Sequence, residues 1–164
     1  MIETKRLQLL PFTLTHMKAA IEGRKELGKL LASHVPEQWP SRGYAKALPI
    51  KKEKLLQQPE LAQWSRIAVE RNENIVIGEI GCKDGPSDNG RIELGYGIIP
   101  DYRNKGYATE MTKGITEWLL QQQRITKITA NCLEINQPSV RVLEKAGFQQ
   151  TERRNGIFYW EKIV

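Results

Sequence analysis

The sequence predicts a mixed α/β chain, and three features carry that prediction. Period-two runs at residues 64–70, 75–82 and 91–98 follow one another with turn residues between them, as in an antiparallel meander. Residues 106–122 hold the strongest helical stripe, with Ala108, Met111, Ile115, Trp118 and Leu119 on one face. Residues 91–147 then read as strand, helix, strand, helix.

The other elements follow in chain order. Leu7 and Leu9 alternate with Arg6 and Gln8 in a first strand over 5–10 that Pro11 closes. Thr13 or Thr15 caps a helix with Met17, Ala20 and Ile21 on its apolar face and Gly23 near its end. Pro36, Pro40, Gly43 and Pro49 make 33–49 an irregular loop, followed by a short helix over 51–58 that Pro59 stops. Residues 71–74 turn one hairpin, and Asp84-Gly85-Pro86 with Asn89-Gly90 turn the next. A strand over 125–133 presents Ile128, Ala130 and Cys132 on one face. Asn136 caps a helix with Pro138 in its first turn and Gly147 just past its end. Residues 148–153 and 157–163 form a closing hairpin around Arg154-Asn155-Gly156. No repeat, linker or low-complexity tract interrupts the chain, so residues 1–164 are expected to form one domain.

Composition removes several function classes. The chain has 164 residues, 40% hydrophobic and 27% charged, within the globular range. Its net charge of +6 suits an anionic partner. The excess lies in residues 1–60, densest at Lys51, Lys52 and Lys54, without the aromatic interleaving of a nucleic-acid stripe; no nucleic-acid partner is expected. No apolar run reaches the ~20 residues that span a bilayer, and the N-terminus lacks signal-peptide order, so a cytoplasmic chain with no membrane partner is expected. Cys82 and Cys132 sit in strands as reduced residues, and His16 and His34 have no companions for a metal site; no metal is expected.

The chemistry concentrates where the third meander strand runs through a short loop into the long helix. Arg103, Lys105 and Gly106 stand at that helix mouth. Unpaired amides and the positive end of the helix dipole hold phosphates there, and Gly106 lets a ligand approach the backbone. Arg103 and Lys105 add charge-assisted contacts. A tight strand-to-helix turn explains Gly106 equally well. The dinucleotide fingerprint fails because Pro100 stands where a third glycine belongs, and no P-loop string occurs.

Arg103-Asn104-Lys105-Gly106-Tyr107-Ala108 matches the Arg/Gln-x-x-Gly-x-Gly/Ala signature of the GNAT superfamily of acyl-CoA-dependent N-acetyltransferases. Glu93-Leu94-Gly95-Tyr96 before the loop and Asn136-Gln137-Pro138-Ser139, continuing to Glu144-Lys145-Ala146-Gly147-Phe148, resemble further landmarks of that family. The opening Glu3-Thr4-Lys5-Arg6-Leu7 is similar to the RimJ/RimL-like branch. The resemblance implies a twisted, mostly antiparallel sheet of about seven strands with one splayed parallel pair, flanked by about four helices.

It also implies acetyl-CoA as co-substrate, an amine acceptor, and a monomer or homodimer. The pantetheine arm would bond the backbone around Gly97, Ile98 and Ile99, with an N–H near Ile98 as oxyanion donor. The pyrophosphate would rest on Arg103, Asn104, Lys105, Gly106, Tyr107 and Ala108. Glu93 stands at a strand position that some members use for a base, though a surface carboxylate fits as well. Ser139 resembles a serine proposed as proton donor, and Asn136 one that bonds the pantetheine arm; helix capping accounts for either. Leu143 occupies the position of the usual phenol, which keeps a non-catalytic acyl-CoA-binding module open. Tyr96 and Tyr107 remain as phenols. Trp39, Tyr44, Trp64 and Trp160 either line the acceptor side or belong to the core. The acceptor is a protein N-terminal amine or a small-molecule amine.

Overall fold

Eight strands join in one sheet in the order β1 (Ile2–Glu3), β2 (Leu7–Pro11), β3 (Ser65–Glu70), β4 (Ile75–Cys82), β5 (Arg91–Ile98), β6 (Lys127–Leu133), β8 (Ile157–Ile163) and β7 (Gln149–Arg154). This is seen in a computed structural model that describes residues 1–163; Val164, the last residue of the expected domain, lies outside the described residues. The helices are α1 (Leu14–Glu22), α2 (Arg24–Leu31), α3 (Arg42–Gln57), α4 (Tyr107–Leu120) and α5 (Gln137–Lys145). Every neighbouring strand pair is antiparallel except β5 with β6. The mixed fold with one parallel pair is therefore as expected, with one strand and one helix more.

The additions lie in the N-terminal half. Gly23 ends α1 as expected and also starts α2, a helix that was not expected. Because α1 packs on α2 and α3, Met17 and Ala19 are its buried residues, while Ile21 stays 43% exposed. The loop expected over 33–49 is shorter. Ser41 caps α3 by accepting the Tyr44 N–H at 3.2 Å, and the helix runs through Pro49. Proline inside a helix costs about 3 kcal/mol. Burial of Leu48 and Leu55 on the same helix outweighs that cost here, at roughly 2 kcal/mol or more for each leucine.

Helix α4 lies where its stripe predicts. Met111, Ile115 and Leu119 have no exposed surface, and Trp118 packs at 5.7 Å on Trp64. Its first turn is tied to the N-terminus through Glu110. That carboxylate accepts the Thr4 hydroxyl at 2.6 Å, the Arg6 amide at 2.7 Å and the Arg6 Nε at 2.7 Å. Arg6 Nη1 also donates to the Lys105 carbonyl at 2.9 Å, and its guanidinium lies 3.9 Å from the Tyr107 ring centroid.

The site is opened by the separation of β5 and β6. They pair only at Arg91 with Lys127, Ile92 with Ile128 and Glu93 with Thr129. Beyond Glu93, β5 stays on β4 and β6 stays on β8, leaving a gap between two halves of the sheet.

Burial works to raise the Glu110 pKa, but the Thr4 and Arg6 bonds hold it below the ordinary carboxylate range. A depressed folded pKa contributes stability above the unfolded value and loses it as pH falls through the folded one. Glu110→Ala should therefore cost about 2–3 kcal/mol in urea denaturation at neutral pH. That difference should shrink below about pH 4. A pH-independent difference would contradict the assignment.

Candidate active site

A continuous groove crosses the sheet at the β5–β6 gap in three chambers. The outer chamber, about 380 Å3, lies at the mouth of α4. A middle slot of about 420 Å3 follows between β5 and α5. The inner chamber, about 460 Å3, lies against α3. Ile98, Arg103, Ala108, Pro138 and Val142 are common to the first two. Glu79 and Tyr96 are common to the slot and the inner chamber.

The outer chamber gathers open amides and cations. Gly106 has φ of 80°, a left-handed conformation that turns the chain into the helix, and Asn104 has φ of 60°. Among the described residues, the N–H groups of 104–109 have no intramolecular acceptor. Asn104, Gly106, Tyr107 and Ala108 line this chamber. Lys105 does not: its ammonium lies 5.3 Å from the Tyr102 ring centroid. Arg103 does, with its Nε on the Ile98 carbonyl at 3.0 Å. Arg141 and Lys145, one helical turn apart on α5, add two cations that sequence reasoning missed. Their i, i+4 spacing on a helix beside the motif was the available signal.

Of the expected backbone contacts Gly97, Ile98 and Ile99, the register separates one from two. The Ile99 N–H donates to the Ile77 carbonyl at 2.8 Å. Hydrogen-bonded pairs alternate along an antiparallel ladder, so Gly97 opposite Glu79 also bonds toward β4. The polar backbone of Ile98 faces the gap. Asn136 and Ser139 both line the slot. Asn136 Oδ1 accepts the Ser139 N–H at 3.3 Å, so the capping role is present.

The structure does not bring Glu93 and Ser139 together. Glu93 is exposed on the rim of the inner chamber, where its Oε1 accepts Asn131 Nδ2 at 2.7 Å. The carboxylate at the junction is Glu79 on β4. Its Oε2 accepts the Trp39 indole N–H at 2.8 Å. Burial pushes its pKa up to about 7, against the Trp39 bond and the Lys51 ammonium, which pull it down. Its signal was an acidic residue inside the apolar run Ile75–Cys82.

The Tyr96 phenol, also at the junction, is buried with no hydrogen-bond partner. Burial raises its pKa and the neighbouring Ser139 hydroxyl lowers it, although the two make no well-formed bond. Leu143, at the family's phenol position, is core at 1% exposure. Of the four aromatics considered, Trp39 and Tyr44 border the slot and the inner chamber respectively. Trp64 packs on Trp118 and Trp160 on Phe158, both outside them.

A raised carboxyl pKa destabilises the fold progressively between the unfolded and folded values, and in full above the folded one. Glu79→Gln keeps an oxygen for Trp39 and removes that cost. Between about pH 5 and pH 8 the wild type should lose on the order of 2–3 kcal/mol relative to the variant in urea denaturation. Parallel pH–stability curves would refute the raised pKa.

Residues 6–149 match the acetyltransferase (GNAT) domain family. The chain is 28% identical over 161 residues to YjdG of Bacillus subtilis, an uncharacterized N-acetyltransferase, covering 98% of this chain and 96% of that protein. The fold is similar to ribosomal-protein-S5-alanine acetyltransferase from Vibrio fischeri, with TM-score 0.68, 19% identity and coverage of 98% and 94%. It is also similar to RimL, a ribosomal L7/L12 α-N-protein acetyltransferase in complex with coenzyme A, with TM-score 0.66, 15% identity and coverage of 98% and 96%.

Proposed function

Because this chain belongs to the GNAT acetyltransferase family, we propose that it transfers an acetyl group from acetyl-CoA directly to a primary amine, as a cytoplasmic enzyme of one domain. The observation that carries the reading is the junction at Glu79 and Tyr96. There a proton acceptor and a proton donor stand where the slot meets the inner chamber. Acetyl-CoA supplies a thioester whose acetyl carbon is open to attack by an amine.

The residues present fit that co-substrate. The open amides of 104–109 with Arg103, Arg141 and Lys145 would hold its phosphates. Arg103 pins the Ile98 carbonyl, which leaves the Ile98 N–H to polarise an acyl oxygen in the slot. An amine that arrives as ammonium must lose a proton before it attacks. Glu79, ionised above about pH 7, accepts it. Tyr96, with Ser139 beside it, gives a proton to the departing thiolate. In this reading Glu79 takes the role first considered for Glu93, and Tyr96 replaces the phenol missing at Leu143. The opening residues and the RimL-like neighbours favour the RimJ/RimL-like branch.

The test is thiol release from acetyl-CoA across an amine panel. Turnover is expected, with kcat/KM rising through an apparent pKa near 7. Glu79→Gln should lower kcat about 100-fold or more and abolish that limb; an unchanged profile would remove Glu79 from the mechanism. A rise in Tm with acetyl-CoA but silence across the panel would favour the non-catalytic module. Gly106→Val forces a β-branched residue to φ of 80°. It should weaken acetyl-CoA binding at least about tenfold by calorimetry, and unchanged affinity would refute the helix-mouth site.

A further inference from the structure

The inner chamber has two chemically different ends. At the slot end stands Glu79. At the other, Lys51 and Lys83 line the inner chamber alone, not the slot. Glu79 and Lys83 lie four residues apart, and the strand direction from one to the other covers about 13 Å. Between them, Gly81 faces Gly95 in the β4–β5 register. Neither puts a side chain on the chamber floor, and a Cβ at Gly95 would meet nothing within 4 Å. From α3, Ile50 lines the chamber with 64% of its surface exposed.

The charges at the far end are unbalanced. Lys54 is neutralised by Asp84 at 2.7 Å, whereas Glu93, which accepts from the neutral Asn131 amide, keeps its charge, so Lys51 and Lys83 stand against one carboxylate there. Lys51 and Lys83 have no ion pair among the described residues. Lys51 is half-buried, with its ammonium 5.9 Å from the Tyr44 ring centroid. Burial, and then the nearby Lys54, lower its pKa, while Glu79 and Asp84 offset only part of that. A desolvated ammonium without a hydrogen-bonded counter-charge is costly, and an anion entering the chamber relieves the cost.

We infer that the acceptor is a small primary amine that also carries a carboxylate or phosphate group, seated with its nitrogen at Glu79 and its anion between Lys51 and Lys83. The inference rests on the acetyltransferase reading and specifies its acceptor. A chamber of about 460 Å3 suits a molecule of that size. A polyamine would set a second cation against the two lysines.

The experiment compares leucine, leucinamide, O-phosphoethanolamine and spermidine as acceptors by thiol release from acetyl-CoA. An anionic amine should exceed leucinamide and spermidine in kcat/KM by at least about tenfold, the worth of one charge-assisted hydrogen bond. Leucine ahead of O-phosphoethanolamine identifies a carboxylate site, and the reverse order a phosphate site. Combined Lys51→Met and Lys83→Met should erase the preference through KM while calorimetric acetyl-CoA affinity is retained. Leucinamide or spermidine used as well as the anionic amines would overturn the inference and leave the acetyltransferase reading standing. If none of the four releases thiol, the inference is decided by binding to the enzyme–coenzyme A complex. N-acetylleucine held at least about tenfold tighter than N-acetylleucinamide, in a lysine-dependent way, supports it; equal affinities overturn it.

Discussion

The parting of β5 from β6 after three residue pairs is the constraint on which the groove depends. Had the parallel ladder continued, the polar backbone of Ile98 would be consumed by β6 and the slot closed. Three features sustain the gap. β5 keeps its bonds to β4 up to Ile98, and Ile99 continues onto Ile77. β6 is held by β8 from Lys127 to Leu133. The α5 N-terminus, capped by Asn136, then fills the far wall with Pro138 and Ser139. Exposed backbone in the middle of a sheet costs energy unless it finds partners; Arg103 bonds the Ile98 carbonyl, and the Ile98 N–H is left facing the gap.

The two ends of the groove use opposite electrostatics. At the α4 mouth the field is positive from open amides and from cations on two elements. At the junction a half-buried carboxylate bonded by the Trp39 indole has its charge disfavoured by desolvation, the condition that suits a proton acceptor near neutral pH. The +6 net charge is a poor guide to either. Arg103 belongs to the mouth but not to the basic first third of the chain. Lys51 belongs to that third, yet it faces the inner chamber.

The fold was legible in the sequence wherever periodicity was uncontested. The three meander strands, the α4 stripe, the Asn136 cap and the Asn155-Gly156 turn all lie within a residue or two of their expected places. It was illegible between residues 24 and 50, where packing overrode local signals. Pro36, Pro40 and Pro49 spelled loop, yet the buried Leu48 and Leu55 carry a helix through the last of them. The Met17 helix was rotated by contacts with α2 and α3 that no local pattern encodes.

For the candidate site, the α4 mouth could be read from local sequence, because a glycine at a helix start with Arg103 beside it is a local arrangement. The Asn136 cap that places Ser139 at the start of α5 was legible for the same reason. What tertiary packing added is the difference in surroundings between the two strand carboxylates. Glu93 and Glu79 are both carboxylates in strands of the same meander. What separates them is Asn131 and solvent around one, and Trp39, Lys51 and burial around the other. Those partners come from residues 28 to 40 positions away in sequence, and a pKa is a property of such surroundings, not of the residue.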